Sequence, residues 1–241
     1  MKLVQVENDT EMSQVAAEKI ISLVTHNPTA TLGLATGGTP KGVYAELRRD
    51  YENNHTSYHS IKAVNLDEYV GLTAEDPNSY KYYMSKELFN HINIKSTNTH
   101  LPHGNAEDLN EECVRYEKLI KSLGGIDLQL LGIGHNGHIG FNEPGTSFES
   151  RTHLVHLTEQ TITANSRYFS SYEEVPKQAI TMGIQTILCS KEIVLIASGK
   201  EKAESIKRLF KGEINESFPA STLLLHANVT VIADKEATAL L

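Results

Sequence analysis

The stretch from Leu130 to Gly145, LLGIGHNGHIGFNEPG, gathers His135, Asn136, His138 and Glu143 among five glycines directly after an apolar run. Imidazole is the side chain best matched to moving protons near neutral pH, and a nearby carboxylate raises its pKa and fixes its tautomer. His138 and Glu143 therefore form a candidate acid–base dyad. The glycines make a regular helix implausible here, so His135 and His138 do not stack on one helical face as the histidines of a helical zinc site do. That disfavours a metal. Taken singly, either histidine also fits a solvated loop residue, and only the pair in this context points to chemistry.

Three more clusters hold groups of the same kind. In Thr36-Gly37-Gly38-Thr39-Pro40 two glycines let the backbone curl close to a ligand, Thr39 suits an N-cap, and Pro40 suits the first helical position. Free amides and the dipole at such a helix start favour a phosphate or carboxylate. The segment is neither GxGxxG nor GxxxxGK[ST], so dinucleotide and nucleoside-triphosphate readings lack their fingerprints, and alone it fits a plain strand-to-helix connection equally well. Asp67 comes directly after IKAVNL, where a carboxylate can serve as a general base, although a lone aspartate more often caps a helix or faces water. Lys202 of GKEKA falls in the first turn of a predicted helix, where the dipole disfavours a cation unless an anion is present. With Arg167 of ANSRYF it suggests a phosphate held between two cations, against the commoner case of two solvated surface charges.

The elements that must position these groups alternate along the chain. LVQV precedes a helix from about Asp9 with Met12, Val15, Ala16, Ile20, Leu23 and Val24 on one face. ATLGLAT precedes a helix opening at Thr39-Pro40, and IKAVNL one from about Asn78; IDLQLLGIG follows a helix over 106–122, and EIVLIAS precedes one over 200–211. Strands that are almost continuously apolar are covered on both faces, and their alternation with helices predicts right-handed crossovers and a parallel sheet. The expected fold is α/β: a single domain over 1–241, an open and mostly parallel sheet with helices on both faces. The segment at about 145–185 breaks the alternation and is expected to be an insertion or lid. All four polar clusters fall at carboxyl ends of predicted strands, the edge at which open parallel sheets bind ligands.

Composition narrows the partners. The chain has 22 basic against 30 acidic residues and a formal charge of −8. That excludes an extended surface tracking nucleic-acid phosphates or anionic membrane, so any anion is bound locally. Cys113 and Cys189 lack CxxC spacing and are expected to be reduced, partly buried thiols rather than a disulfide. The N-terminus turns polar before a signal-peptide core develops, and no apolar run reaches the length of a membrane span, which predicts a cytoplasmic protein.

Taken together, LGLATGGTP, NLDEYVGL, GIGHNGHIGFNEPG, ANSRYF, TMGIQTIL and GKEKA resemble the glucosamine-6-phosphate deaminase (isomerase) family over Leu32 to about His226. The resemblance implies a Rossmann-like fold and conversion of glucosamine 6-phosphate and water to fructose 6-phosphate and ammonia in amino-sugar catabolism, without a metal or organic cofactor. It implies Asp67 as the base for enolisation, His138 as the ring-opening base, Glu143 as the acid supporting it, and Asn136 at the remaining ring-opening position. Some family members carry aspartate there; an amide cannot exchange a proton, so Asn136 is confined to orienting a group by hydrogen bonding. The phosphate falls to Thr36, Gly37, Gly38, Thr39, Arg167 and Lys202.

Larger relatives activated by N-acetylglucosamine 6-phosphate use a basic pair after the SRT segment and a longer C-terminal tail. Here those positions are His153 and Val155 and the chain stops at Leu241. The expectation is weak or absent activation, and a monomer or small homo-oligomer. Two rivals are weighed against this reading. A 6-phosphogluconolactonase shares the fold but needs no carboxylate to carry a proton between carbons, and a sugar-phosphate sensor of a transcription regulator should bring a DNA-binding domain and a basic face.

Overall fold

The computed structural model describes residues 1–167 and 169–241, with the backbone alone for Gln160 and Ala164. In chain order the first half runs β1 (Lys2–Val6), α1 (Asp9–His26), β2 (Thr31–Leu34), α2 (Lys41–Asn54), β3 (Lys62–Asn65), β4 (Asp67–Tyr69), α3 (Tyr80–Glu87), β5 (Thr99–His100) and α4 (Leu109–Ser122). The second half runs β6 (Leu128–Leu131), β7 (His153–His156), α5 (Glu159–Ser166), β8 (Gln178–Thr181), α6 (Ile184–Leu188), β9 (Glu192–Ala197), α7 (Ala203–Lys211) and β10 (Val229–Asp234).

Among the described residues the larger sheet has seven strands in the order β1-β10-β9-β6-β2-β3-β5. Its pairings are parallel, as the apolar runs predict. In β9, Val194 and Ile196 enter one core with Met12, Ile20, Tyr44 and Leu47 of α1 and α2, while Ile193 and Leu195 enter the opposite core with Tyr116, Ile206 and Leu209 of α4 and α7. Alternate side chains thus face opposite helical layers, which is why the strand carries no polar face. The chain steps from β2 outward to β3, then returns to the other side of β2 as β6. The strand order reverses between β2 and β6, and open α/β sheets form their ligand crevice at that point.

Several local expectations shift. Thr39 is not the N-cap of α2; Pro40 holds that position, and no side chain caps the helix. Ser79 caps α3 by accepting from Tyr82 N, and Asp108 caps α4 by accepting from Asn110 and Glu111 N. The helix expected over 200–211 begins as a 3-10 turn at Lys200–Lys202. Strand β10 escapes the alternation pattern because a 3-10 run, Pro219–Leu225, stands before it in place of an α-helix.

The segment 145–185 also holds strands. β8 pairs antiparallel with β4 on one side and β7 on the other in a second, three-stranded sheet, where Asp67 lies opposite Thr181. Tyr69, Phe141, Leu157, Ile162, Val175 and Ala179 form its own small apolar cluster. Of the two thiols, Cys113 is buried and Cys189 exposed, and both are free, so the expectation that both are partly buried fails at Cys189.

Candidate active site

β9, β6, β2 and β3 are neighbours in the sheet, so the clusters at their carboxyl ends surround one cleft. A cavity of about 270 Å³ opens there, and its wall includes Thr36, Gly37, Gly38, Thr39, His135, His138, Arg167 and Lys202. The sequence-predicted phosphate residues therefore share one cavity with His138. Asp67, Asn136 and Glu143 are not part of that wall but adjoin residues that are: Asp67 lies near Gly140, and Asn136 links Glu143 to His138.

One side of the cleft is built for an anion. Gly37 has φ +102°, a left-handed conformation that suits glycine. With Pro40 as cap residue, α2 has no side chain to accept its first-turn N–H groups, whereas α1, α3, α4 and α5 are capped by Asn8, Ser79, Asp108 and Thr158. Across the cleft the Lys202 pKa is lowered, first by burial and further by the positive charge of Arg167, although Glu201 opposes this. Lys202 is partly buried and Arg167 exposed, and an anion held between them offsets the repulsion of their charges.

Sequence reasoning missed the residue that shapes the Lys202 turn. Asp234, buried at the end of β10, accepts from Ser198 Oγ at 2.5 Å and from Gly199 N at 3.1 Å, and also from Ala237 N at 2.7 Å. It thereby fixes the turn in which Gly199 adopts φ +95°. An acid at the end of an unread strand gave no signal of this role.

The loop after β6 presents His138. Gly137 N donates to Gly134 O at 3.0 Å, and Gly134 N donates to His138 O at 2.9 Å, closing a tight turn in which Gly137 has φ +86°. The imidazole lies so close over Gly134 that a Cβ there would come within 2.3 Å of the ring. The two glycines are thus required, one for backbone conformation and one for space.

The expected His138–Glu143 dyad is a triad. His138 Nδ1 and Glu143 Oε1 are 3.7 Å apart, too far for a hydrogen bond. Asn136 bridges them: its Nδ2 donates to Glu143 Oε2 at 2.7 Å, and its Oδ1 faces His138 Nδ1 at 2.8 Å. A carboxylate only accepts, so the amide nitrogen must face Glu143 and the amide oxygen must face the imidazole. His138 Nδ1 therefore carries the proton, and Nε2 is left as a lone pair. Burial lowers the His138 pKa more than Glu143 raises it, with Lys202 and His135 lowering it further. The histidine is neutral near pH 7, a correction to the rise expected from Glu143 alone.

Asp67 is 6% exposed at the start of β4. Burial, followed by the negative charge of Glu68, pushes its pKa up to about 8 from an ordinary 3.8. Its carboxylate lies near Gly140 of the His138 loop, with Oδ2 3.6 Å from where a Cβ would stand. Glu68 points elsewhere: its carboxylate accepts from Tyr80 N and Lys81 N at 2.9 Å each, at the start of α3. Tyr80 lines the cavity and stacks on Phe141 with ring centroids 6.2 Å apart and an interplanar angle of 9°. In the ANSRYF motif Arg167 reaches the cleft, while Tyr168 lies outside the described residues. Among the described residues no group of three or more His, Cys, Asp or Glu side chains could hold a metal ion.

Fold and site define an α/β protein whose sheet-edge cleft sets a glycine turn and two cations beside a histidine relay and a buried carboxylate. The chain belongs to the family described as glucosamine-6-phosphate isomerases/6-phosphogluconolactonase, whose model matches residues 7–232. Glucosamine-6-phosphate deaminase 1 of Bacillus subtilis is 55% identical over 240 residues, covering 100% of this chain and 99% of that one. The glucosamine-6-phosphate deaminase of Halalkalibacterium halodurans is 56% identical over 237 residues, covering 98% and 96%. A solved monomeric glucosamine-6-phosphate deaminase superposes with a TM-score of 0.98 at 55% identity, each chain covered completely. The 6-phosphogluconolactonase from Trypanosoma cruzi gives a TM-score of 0.80 at 21% identity over 99% and 96% of the two chains, a likeness of fold alone.

Proposed function

We propose that the chain is an aldose–ketose isomerase with deaminating activity, converting glucosamine 6-phosphate and water to fructose 6-phosphate and ammonia. The observation that carries this reading is a buried carboxylate, Asp67, beside the same cleft as a neutral histidine with a free Nε2 and an anion cradle.

The phosphate sits against the Thr36–Thr39 turn at the start of α2, between Arg167 and Lys202, and tethers the sugar at its far end. His138 Nε2 takes the proton of the anomeric hydroxyl, and the C1–O5 bond breaks to give the open-chain aldehyde. The imidazolium formed in this step is stabilised through Asn136 by Glu143 and gives its proton to O5, which leaves a C5 hydroxyl and neutral His138. Asp67, as carboxylate, then removes the C2 proton and returns it to C1, while one proton of the C2 ammonium passes to O1, so that C1 becomes a hydroxymethyl group and C2 an iminium. Water adds to the iminium and ammonia departs. One carboxylate serves both carbons because they are adjacent, and the tether keeps the open chain in reach. A substrate ammonium at C2 lies against Asp67 and favours its ionised form, opposing the burial that holds it protonated in the empty cleft.

The whole chain acts as one domain in this reading, and 145–185, which brings Asn165 and Arg167 to the cavity wall, closes over the substrate as a lid. The enzyme works as a monomer without activation by N-acetylglucosamine 6-phosphate. A phosphorylated sugar does not cross a bilayer unaided, which assigns the enzyme to the cytoplasm. Among the described residues no helix is long and apolar enough to cross a membrane.

The test is ammonia release from purified protein with chelator present throughout, comparing glucosamine 6-phosphate, glucosamine and N-acetylglucosamine 6-phosphate, with 6-phosphogluconolactone hydrolysis assayed in parallel. Release from glucosamine 6-phosphate alone supports the reading. Lactone hydrolysis without ammonia release would move the chain to the other activity that its family carries.

A further inference from the structure

The second oxygen of Glu143 leads out of the catalytic loop. Glu143 Oε1 accepts from Thr161 Oγ1 at 2.6 Å, and Thr161 Oγ1 accepts from Thr158 Oγ1 at 3.0 Å. Thr158 is the N-cap of α5, where its Oγ1 also accepts from Thr161 N at 3.2 Å. A hydroxyl has one proton, so a Thr161 hydroxyl that accepts from Thr158 must give its own proton to Glu143. The direction of every bond is then fixed from the cap of α5 through Thr161, Glu143 and Asn136 to His138. Thr161 is 8% exposed where it borders the cleft, and its hydroxyl proton is already given to Glu143. The same helix ends at Arg167, which stands in the cavity wall close enough to Lys202 to lower its pKa.

We infer that Thr161 is a positioning residue for ring opening, holding Glu143 so that Asn136 keeps the His138 Nε2 lone pair in place, and tying that geometry to the helix that carries Arg167. The inference rests on the deaminase reading above. Its consequence is that a phosphate seated on Arg167 steadies α5, and α5 through one hydroxyl steadies the residue that starts the reaction. Among the described residues Thr161 has no such link to Asp67, so proton transfer between C2 and C1 does not depend on it.

Thr161→Val removes the hydroxyl at nearly constant shape, and Thr161→Ser retains it. With glucosamine 6-phosphate, Thr161→Val is expected to lower kcat by about 10- to 100-fold with KM within about threefold, the range seen when an outer hydrogen-bond partner is lost. Thr161→Ser is expected to recover to within about threefold of the parent enzyme. Affinity for the reduced, open-chain sugar phosphate, 2-amino-2-deoxyglucitol 6-phosphate, should stay unchanged in both variants. Nitrogen-15 NMR of labelled histidine gives a readout independent of turnover: the Nδ1–H tautomer at His138 in the parent and in Thr161→Ser, and a mixture of tautomers in Thr161→Val. Unchanged kcat in Thr161→Val overturns the inference, as does a Thr161→Ser enzyme equally slow. An unaltered His138 tautomer in Thr161→Val overturns it even if the protein proves not to be a deaminase, whereas absent ammonia release in the parent overturns only the underlying function.

Discussion

At the scale of single residues, the site is held in states that water would not favour. Asp67 binds a proton in the fold up to about pH 8 and in the unfolded chain only to about 3.8. Stability associated with it is therefore fully present below about pH 3.8 and is lost as pH rises through about 8. Asp67→Asn should stabilise the protein at pH 8.5 by roughly 1–3 kcal/mol, and calorimetry should show Tm raised by about 2 °C or more. The same variant should lose turnover by about 10²- to 10⁴-fold while retaining inorganic phosphate binding; an active Asp67→Asn enzyme would falsify its role as base. The acidic limb of kcat/KM, which reports the free enzyme, should lie near pH 8. The limb of kcat should lie lower, because the substrate ammonium favours the carboxylate. At Asn136 the argument is geometric. Asn136→Asp would set a carboxylate 2.7 Å from Glu143 Oε2, so the pair must share a proton and place added negative charge beside His138. Its histidine resonance should titrate at higher pH than in the parent, and an unshifted titration would remove Asn136 from the relay.

At the scale of elements, turns after strands carry the chemistry and the strands only aim them. Gly134→Ala must push the His138 imidazole aside, since the added methyl would lie 2.3 Å from it. Turnover should fall by about 10-fold or more with phosphate binding retained, and equal loss of both would mean that the loop had collapsed. Asp234→Asn should act at the opposite wall, raising KM by about 3- to 10-fold with a smaller change in kcat, as one turn-fixing hydrogen bond is weakened. How much of this the sequence discloses follows from what each feature depends on. The parallel sheet is legible because β9 and β6 are buried on both faces and are almost wholly apolar, Gln129 and the leading Glu192 apart. The cleft is legible because glycine and polar residues cluster after those strands. The antiparallel sheet is hidden, since β7 is partly exposed and reads HLVH, with no apolar run to announce it. The Asn136 bridge is hidden too, because only coordinates show that His138 and Glu143 miss each other. Asp67 could be named from its position after IKAVNL, but its burial comes from packing between two sheets, which local pattern does not encode.

At the scale of the whole molecule, the cleft is complete within one chain: cradle, relay and carboxylate come from residues 36 to 202 of the same polypeptide. Light scattering should therefore find a monomer, and activity per mole should not change on dilution; a hexamer activated by N-acetylglucosamine 6-phosphate would sink that expectation. The sheet order has another outcome. β1, residues 2–6, has β10, residues 230–234, as its partner in the larger sheet. On a ribosome the first strand made must wait for the last, and until then its apolar residues have no sheet edge to join. Pairing across almost the full chain length is also the slowest kind to form. The sheet thus stays unfinished until β10 has emerged, and the wait is a stage at which a chaperone or an aggregation partner would compete for the open edge.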